Sequence, residues 1–220
     1  MFFSKKKIKI AITPRFHQTE IDELVSIEKK YYKFFSKYNC DLYLIPFVKS
    51  EVEDYLESLK PDGIVFAGGY RMYTDEIKNF EEKVIKISLK LKLPILAICC
   101  GMWTVNGYFG GTLKFNENHQ AFDGEKINTY KMLHKVFSDE SIIKKDVYTV
   151  NTFHSKVIDK LAKNLHPFLF SEDKEIEGIV DKENSILGVQ FHMENTGVSG
   201  SLTKQIMSYY FKSIKESNKL

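Results

Sequence analysis

Cysteine is scarce in this chain: there are three in 220 residues, at positions 40, 99 and 100, an odd number without metal-ligand spacing. Adjacent cysteines rarely close a disulfide, so a disulfide-stapled scaffold is excluded and a reduced, cytoplasmic setting is expected. Long apolar runs are missing as well, and the start MFFSKKKIKI lacks the apolar core of a signal peptide. No membrane attachment is expected. Charge of one sign is not in excess, because 32 basic and 29 acidic residues are mixed along the chain for a net charge of +3, which removes the basic footprint of a nucleic-acid binder. With five prolines, no internal repeat and no low-complexity linker, residues 1–220 are expected to form one domain, and 43% hydrophobic residues suffice for a substantial core.

What is present begins with Pro94 to Trp103, PILAICCGMW. Its apolar run does not alternate, as expected of a strand buried on both faces of a parallel sheet, and it stops at Cys99, Cys100 and Gly101. Ala97 and Gly101 flank Cys99 at two residues on either side, and small residues there permit the sharp strand-to-helix turn of a nucleophile elbow. Upstream, Ile8–Thr13, Cys40–Pro46 and Gly63–Ala67 read as strands. The apolar spacing predicts helices over Ile21–Tyr38, Val52–Leu59 and Glu76–Leu91 between them. This alternation predicts an α/β fold, a central mostly parallel sheet flanked by helices. Downstream, Met102–Phe109 reads as a helix whose amino end faces the elbow and favours a thiolate. Leu113 to Gly124 reads as irregular or short-stranded, Val147–Thr152 as a strand, and Val157–Leu161 as either strand or helix. Ile176–Val180 and Ser185–Phe191 read as paired strands turning at Asp181 to Asn184, followed by a helix over Ser201–Lys215.

The second chemical stretch is GVQFHMEN, from Gly188. An apolar strand delivers His192 at its end, and Glu194, two residues on, shares its side if the chain stays extended. Cysteine hydrolase chemistry needs an imidazole to take the thiol proton and return it to the leaving amine, and a carboxylate to fix the imidazole's tautomer.

These motifs together resemble the class I glutamine amidotransferases, and within them the γ-glutamyl hydrolase branch grouped as peptidase family C26. PILAICCGMW with NGYFGGTL, GVQFHMEN, DGIVFAGG, ITPR and VNTFHS occur in the family's order across almost the whole chain. The resemblance implies a flavodoxin-like fold with Cys99 as nucleophile, His192 and Glu194 completing the triad, and the N–H groups of Gly69 and Cys100 as the oxyanion hole. No metal and no cofactor is implied. Cys100 stands where the branch usually has arginine, Trp103 where it often has glutamine, and Tyr70-Arg71-Met72-Tyr73 where it commonly has aspartate and proline.

The implied activity is hydrolysis of a γ-glutamyl amide to release glutamate. The amine remains open: γ-glutamyl-aminobutyrate is the branch's broad default. The compact length and divergent elbow residues favour instead a nucleotide amidate, γ-glutamyl-CDP-amidate, as hydrolysed in capsule biosynthesis. Arg15, Arg71, His154 and Lys156 are candidate anionic contacts, and Trp103 a candidate head-group contact. The alternative is a glutaminase subunit delivering ammonia to a separate synthetase partner; a homodimer is equally open.

Overall fold

The computed structural model describes residues 6–69, 74–119, 133–139 and 141–219. Its first half follows the expected alternation: β1 (Ile8–Ile12), a hairpin of β2 (Arg15–Gln18) and β3 (Glu23–Ser26), α1 (Lys29–Ser36), β4 (Cys40–Leu44), α2 (Val52–Leu59), β5 (Gly63–Phe66), α3 (Asp75–Lys90), β6 (Ile95–Ile98) and α4 (Cys100–Tyr108). Thereafter strands dominate: β7 (Thr112–Phe115), β8 (Leu133–Ser138), β9 (Val147–Asn151), β10 (Lys156–Lys160), β11 (His166–Ser171), β12 (Ile176–Asp181) and β13 (Ile186–Val189), closed by α5 (Gly200–Ser217).

Nine of these strands make one sheet in the order β4-β1-β5-β6-β13-β12-β11-β8-β9. The run from β4 to β13 is parallel, and the pairings from β13 to β9 are antiparallel. Apolar residues occupy successive positions of β1, β5 and β6 because both faces are covered. Ile10, Ile12, Val65, Leu96 and Ile98 pack on one side with Phe35 of α1 and Tyr210 of α5. Ala11, Ile64, Phe66, Ile95 and Ala97 pack on the other with Leu56, Val84 and Val105 of α2, α3 and α4. A two-sided sheet of this kind needs no alternation in its sequence.

The helix expected over Ile21–Tyr38 begins only at Lys29. Thr19 Oγ1 accepts the Asp22 N–H at 2.8 Å and turns the chain into a hairpin, and Ile21, Leu24 and Val25 are exposed, so their helical spacing has no core to meet. Val157–Leu161, open between strand and helix, is strand β10, paired with β7. The turn expected at Asp181 to Asn184 is present: Asp181 Oδ1 accepts the N–H groups of Glu183 and Asn184 at 3.0 and 3.1 Å.

Candidate active site

The parallel strands β1, β5, β6 and β13 deliver their following residues to one edge of the sheet, where open α/β sheets bind ligands. Cys99 follows β6 directly and adopts φ 51°, ψ −111°, a backbone conformation that costs a non-glycine residue about 1–3 kcal/mol and persists where the surroundings impose it. Those surroundings are visible. The Cys99 N–H donates to Val189 O at 2.8 Å, and Cys99 O accepts the Met102 N–H at 2.9 Å, so the residue is pinned between β13 and the first turn of α4. Gly101 lets α4 lie against β5, since a Cβ there would stand 2.5 Å from Phe66 O. Small residues around Cys99 thus serve close packing, as the elbow pattern requires.

His192 lies three residues beyond β13, the strand beside β6. Its Nδ1 is 2.6 Å from Glu194 Oε1, and both side chains are buried. Burial alone would raise the Glu194 carboxyl, but the hydrogen bond and charge of His192 outweigh it and hold the group below the usual range, ionised. Lys30 of α1 adds a cation 3.7 Å from the same oxygen. The imidazole and the thiol converge over Gly68, where a Cβ would stand 2.7 Å from His192 Cε1 and 2.9 Å from Cys99 Cβ. Its N–H donates to the buried Tyr31 hydroxyl at 2.9 Å.

The thiol departs from the thiolate expected at a helix amino end. The neighbouring Cys100 thiol, 4.0 Å away sulfur to sulfur, and complete burial push Cys99 well above the ordinary thiol range, with the Glu194 charge adding to the effect. The Cys100 N–H opposes this without overcoming it. Burial and the Cys100 thiol thus favour the neutral thiol, which a base in reach would have to deprotonate. Cys100 itself donates its thiol proton to Gly69 O at 2.9 Å.

Gly69 takes φ 125°, a region suited to glycine, and lines the cavity beside Cys100. A side chain there would also collide with the Arg15 guanidinium. The cavity measures about 880 Å³, ample for a small-molecule substrate, and Cys99, His192, Trp103, Arg15, His154 and Lys156 all contribute to its wall. Several expected contacts are committed elsewhere. Arg15 is buried and paired with Glu28, which compensates its charge. Trp103 Nε1 donates to Gln190 Oε1 at 2.6 Å, and Gln190 Nε2 lies 3.7 Å from Cys99 Sγ, so the indole reaches the sulfur through an amide. The His154 ring nitrogens face other protein groups: Nδ1 meets Lys156 O at 3.2 Å and Nε2 stands 3.6 Å from Glu177 Oε1. Burial drives this imidazole down to about 4. Lys156 is exposed at the rim, and Arg71 lies outside the described residues.

Sequence reasoning missed three positioning residues. Tyr31 and Gln190 are two. Asn151 is the third: its Oδ1 accepts the His192 N–H at 2.9 Å, and its Nδ2 donates to His192 O and Thr196 O at 2.8 and 2.9 Å. Both polar backbone groups of His192 are clamped by one buried side chain. Phe153 adds an edge-on ring contact to His192, with centroids 5.8 Å apart.

Fold and site define an α/β protein of the nucleophile-elbow type, with sulfur at the elbow and an imidazole-carboxylate pair just beyond the adjoining strand. The family model for class-I glutamine amidotransferase matches residues 20–208, and the chain belongs to that family of amidohydrolases. It is 31% identical over 137 residues to the gamma-glutamyl-CDP-amidate hydrolase of Campylobacter jejuni, covering 62% of this chain and 60% of that one. It is 26% identical over 197 residues to the glutamine-hydrolysing GMP synthase of Plasmodium falciparum, covering 74% of this chain and 35% of the synthase. The chain spans about three fifths of the length of several curated relatives it matches. A Thermoplasma acidophilum structure described as a candidate GMP synthase component superposes with a TM-score of 0.72 at 19% identity, covering 98% of each chain, a likeness of fold. Among the described residues no helix is long and apolar enough to cross a membrane.

Proposed function

We propose that the protein hydrolyses a γ-glutamyl amide through a Cys99-His192-Glu194 triad and releases glutamate. The observation that carries this reading is the convergence of the strained Cys99 and the Glu194-bound His192 over the single glycine at 68. Since Glu194 holds Nδ1, the free Nε2 of His192 takes the Cys99 proton as sulfur attacks the γ-carbonyl. The oxyanion falls to the Gly69 and Cys100 N–H groups, and loss of one such donor typically costs about 2.7–4 kcal/mol of barrier stabilisation. His192 then protonates the departing amine. A γ-glutamyl thioester remains, which water, deprotonated by His192, converts to glutamate and free thiol.

For the amine we propose a nucleotide amidate of the γ-glutamyl-CDP-amidate kind. Support comes from the name of the Campylobacter relative and from Lys156 and Lys78 around the cavity. Arg15 contributes less than its charge suggests, because Glu28 holds it. The GMP synthase relative favours a second reading, a glutaminase delivering ammonia to a synthetase partner in the same cytoplasmic setting. The deciding experiment measures glutamate release from glutamine, γ-glutamyl-aminobutyrate and a γ-glutamyl nucleotide amidate. Cys99→Ala should abolish it, and Cys100→Ala should leave much of it. Higher kcat/KM for aminobutyrate would overturn the nucleotide assignment, ammonia release appearing only with an added synthetase would select the second reading, and turnover by Cys99→Ala would overturn the triad.

A further inference from the structure

Beside the cavity at the elbow, to whose wall His154 contributes, the fold collects three histidines around one glutamate. His119 ends a short 3-10 turn, His134 lies in β8, His154 follows β9, and Glu177 lies in β12. Glu177 is fully buried and neither of its carboxylate oxygens has a hydrogen-bond partner. Around its Oε1 stand His134 Nε2 at 3.4 Å, His119 Nδ1 at 3.6 Å and His154 Nε2 at 3.6 Å. Each of these three nitrogens is itself buried without a hydrogen-bond partner.

The outer nitrogens decide what the inner ones carry. His119 Nε2 lies 3.1 and 3.2 Å from the two Asp173 oxygens, and His154 Nδ1 lies 3.2 Å from a carbonyl oxygen, Lys156 O. Carboxylate and carbonyl only accept, so both outer nitrogens carry the proton, and in the neutral rings the inner nitrogens present lone pairs. Two lone pairs then converge with the Glu177 carboxyl oxygens in a dry interior where none of these atoms has a hydrogen-bond partner, an arrangement that a cation between them would satisfy. An imidazolium would relieve one contact and leave the others. It would also draw its N–H to within about 3.2 Å of the oxygen, closer than any of the three nitrogens stands. Separations of 3.4–3.6 Å instead approach the edge of a tetrahedron with bonds of about 2.0–2.1 Å, the lengths of Zn–N and Zn–O bonds. The inner atoms of His119, His154 and Glu177 all lie within 4.8 Å of one another. The outer partners, Asp173, Lys156 O and the Thr152 hydroxyl on His134 Nδ1, are of the kind that orient metal-bound imidazoles.

We propose that His119, His154 and Glu177, with His134 beside them on the Glu177 carboxylate, bind one divalent first-row transition ion of the imidazole-preferring kind, for which Zn²⁺ is the probe. Three protein ligands leave the fourth position of a tetrahedral ion to water, and the site stands whatever chemistry Cys99 performs. The test uses the full chain carrying Cys99→Ser and Cys100→Ser, so that the elbow thiols supply no ligand. After chelator treatment and exposure to Zn²⁺, the protein should retain one equivalent through gel filtration. Co²⁺ in its place should give the intense visible bands of a four-coordinate ion without thiolate charge transfer. Glu177→Gln should abolish retention, and Asp173→Asn should weaken it roughly 10-fold or more through the orientation of His119. Should Glu177→Gln fail to fold, the Co²⁺ spectrum and a chelator-reversible rise in Tm of the parent chain decide the matter. Absence of Zn²⁺ retention, a weak six-coordinate Co²⁺ spectrum, or retention unchanged in folded Glu177→Gln would each overturn the proposal.

Discussion

Gly68→Ala places a methyl group between the two proposed reacting side chains, and its effect follows from three distances. The new carbon would stand 2.7 Å from His192 Cε1, 2.9 Å from Cys99 Cβ and 3.0 Å from Ile98 O. Gly68 does not occupy the left-handed region, so the substitution adds no backbone strain and acts as a steric wedge. Cys99 is pinned by backbone hydrogen bonds and cannot yield easily, which leaves the imidazole to retreat by at least roughly 0.7 Å to regain ordinary contact. Misplacement of a reacting group by about 1 Å costs on the order of 10²-fold, so kcat should fall by about that factor, near 2.7 kcal/mol of barrier. The Michaelis constant should move little, because the displaced groups act in the transition state. Overpacking should also cost about 1–3 kcal/mol of stability. Steady-state glutamate release and urea unfolding read the two effects separately. A folded variant whose kcat stays within threefold of the parent would show that His192 and Cys99 need not meet over this glycine, and the triad argument would lose its main support.

Tyr31→Phe removes the acceptor of the buried Gly68 N–H, and an unsatisfied group of that kind should lower stability by about 1–3 kcal/mol in urea unfolding; an unchanged midpoint would show that the N–H finds another partner. For the Cys99 thiol, the raised pKa predicts iodoacetamide labelling that is slow at neutral pH and still climbing above pH 9, with Cys40 silent because burial pushes it up to about 12. Since the Cys100 thiol is the largest cause of that rise, Cys100→Ala should move the labelling profile to lower pH, followed by peptide mass spectrometry, and a shift to higher pH would refute the assignment of cause.

The elbow was legible because its information is local. A strand buried on both faces reads as an unbroken apolar run, and small residues at Ala97 and Gly101 mark the sharp turn at Cys99. His192 and Glu194 were legible for the same reason, two residues apart at a strand end. The helix assigned to Ile21–Tyr38 failed because Leu24 and Ile27 match a helical period by chance, whereas the Thr19 turn that breaks it is a side-chain device of low sequence specificity. Strands β8 and β11 of the antiparallel half were overlooked; in that half Leu133, Phe137 and Val147 are exposed, so its apolar residues do not mark its buried face. Gln190, Tyr31 and Asn151 could not be assigned positioning roles from sequence, because their partners lie far along the chain. The histidine-glutamate cluster is spread from position 119 to 177, so no local ligand spacing betrays it.

The segment Val150 to Ser155 connects the two sites, and this gives its sequence, VNTFHS, a physical account. Asn151 clamps the backbone of His192 and Phe153 packs against its ring, while Thr152 holds His134 and His154 faces Glu177. Successive residues therefore alternate between the imidazole at the elbow and the histidine cluster, as side chains on an extended segment must. A cation in the cluster would fix His154, and through the intervening peptide bonds would limit how far Asn151 and Phe153 can move. Its loss should loosen His192 before it loosens Cys99, because the sulfur's position depends on β13 and α4 and owes nothing to this segment. Chelator treatment should accordingly reduce kcat while electrophilic labelling of Cys99 continues at its former rate. Equal decline of both would mean that the cluster supports the whole sheet edge and not the base alone.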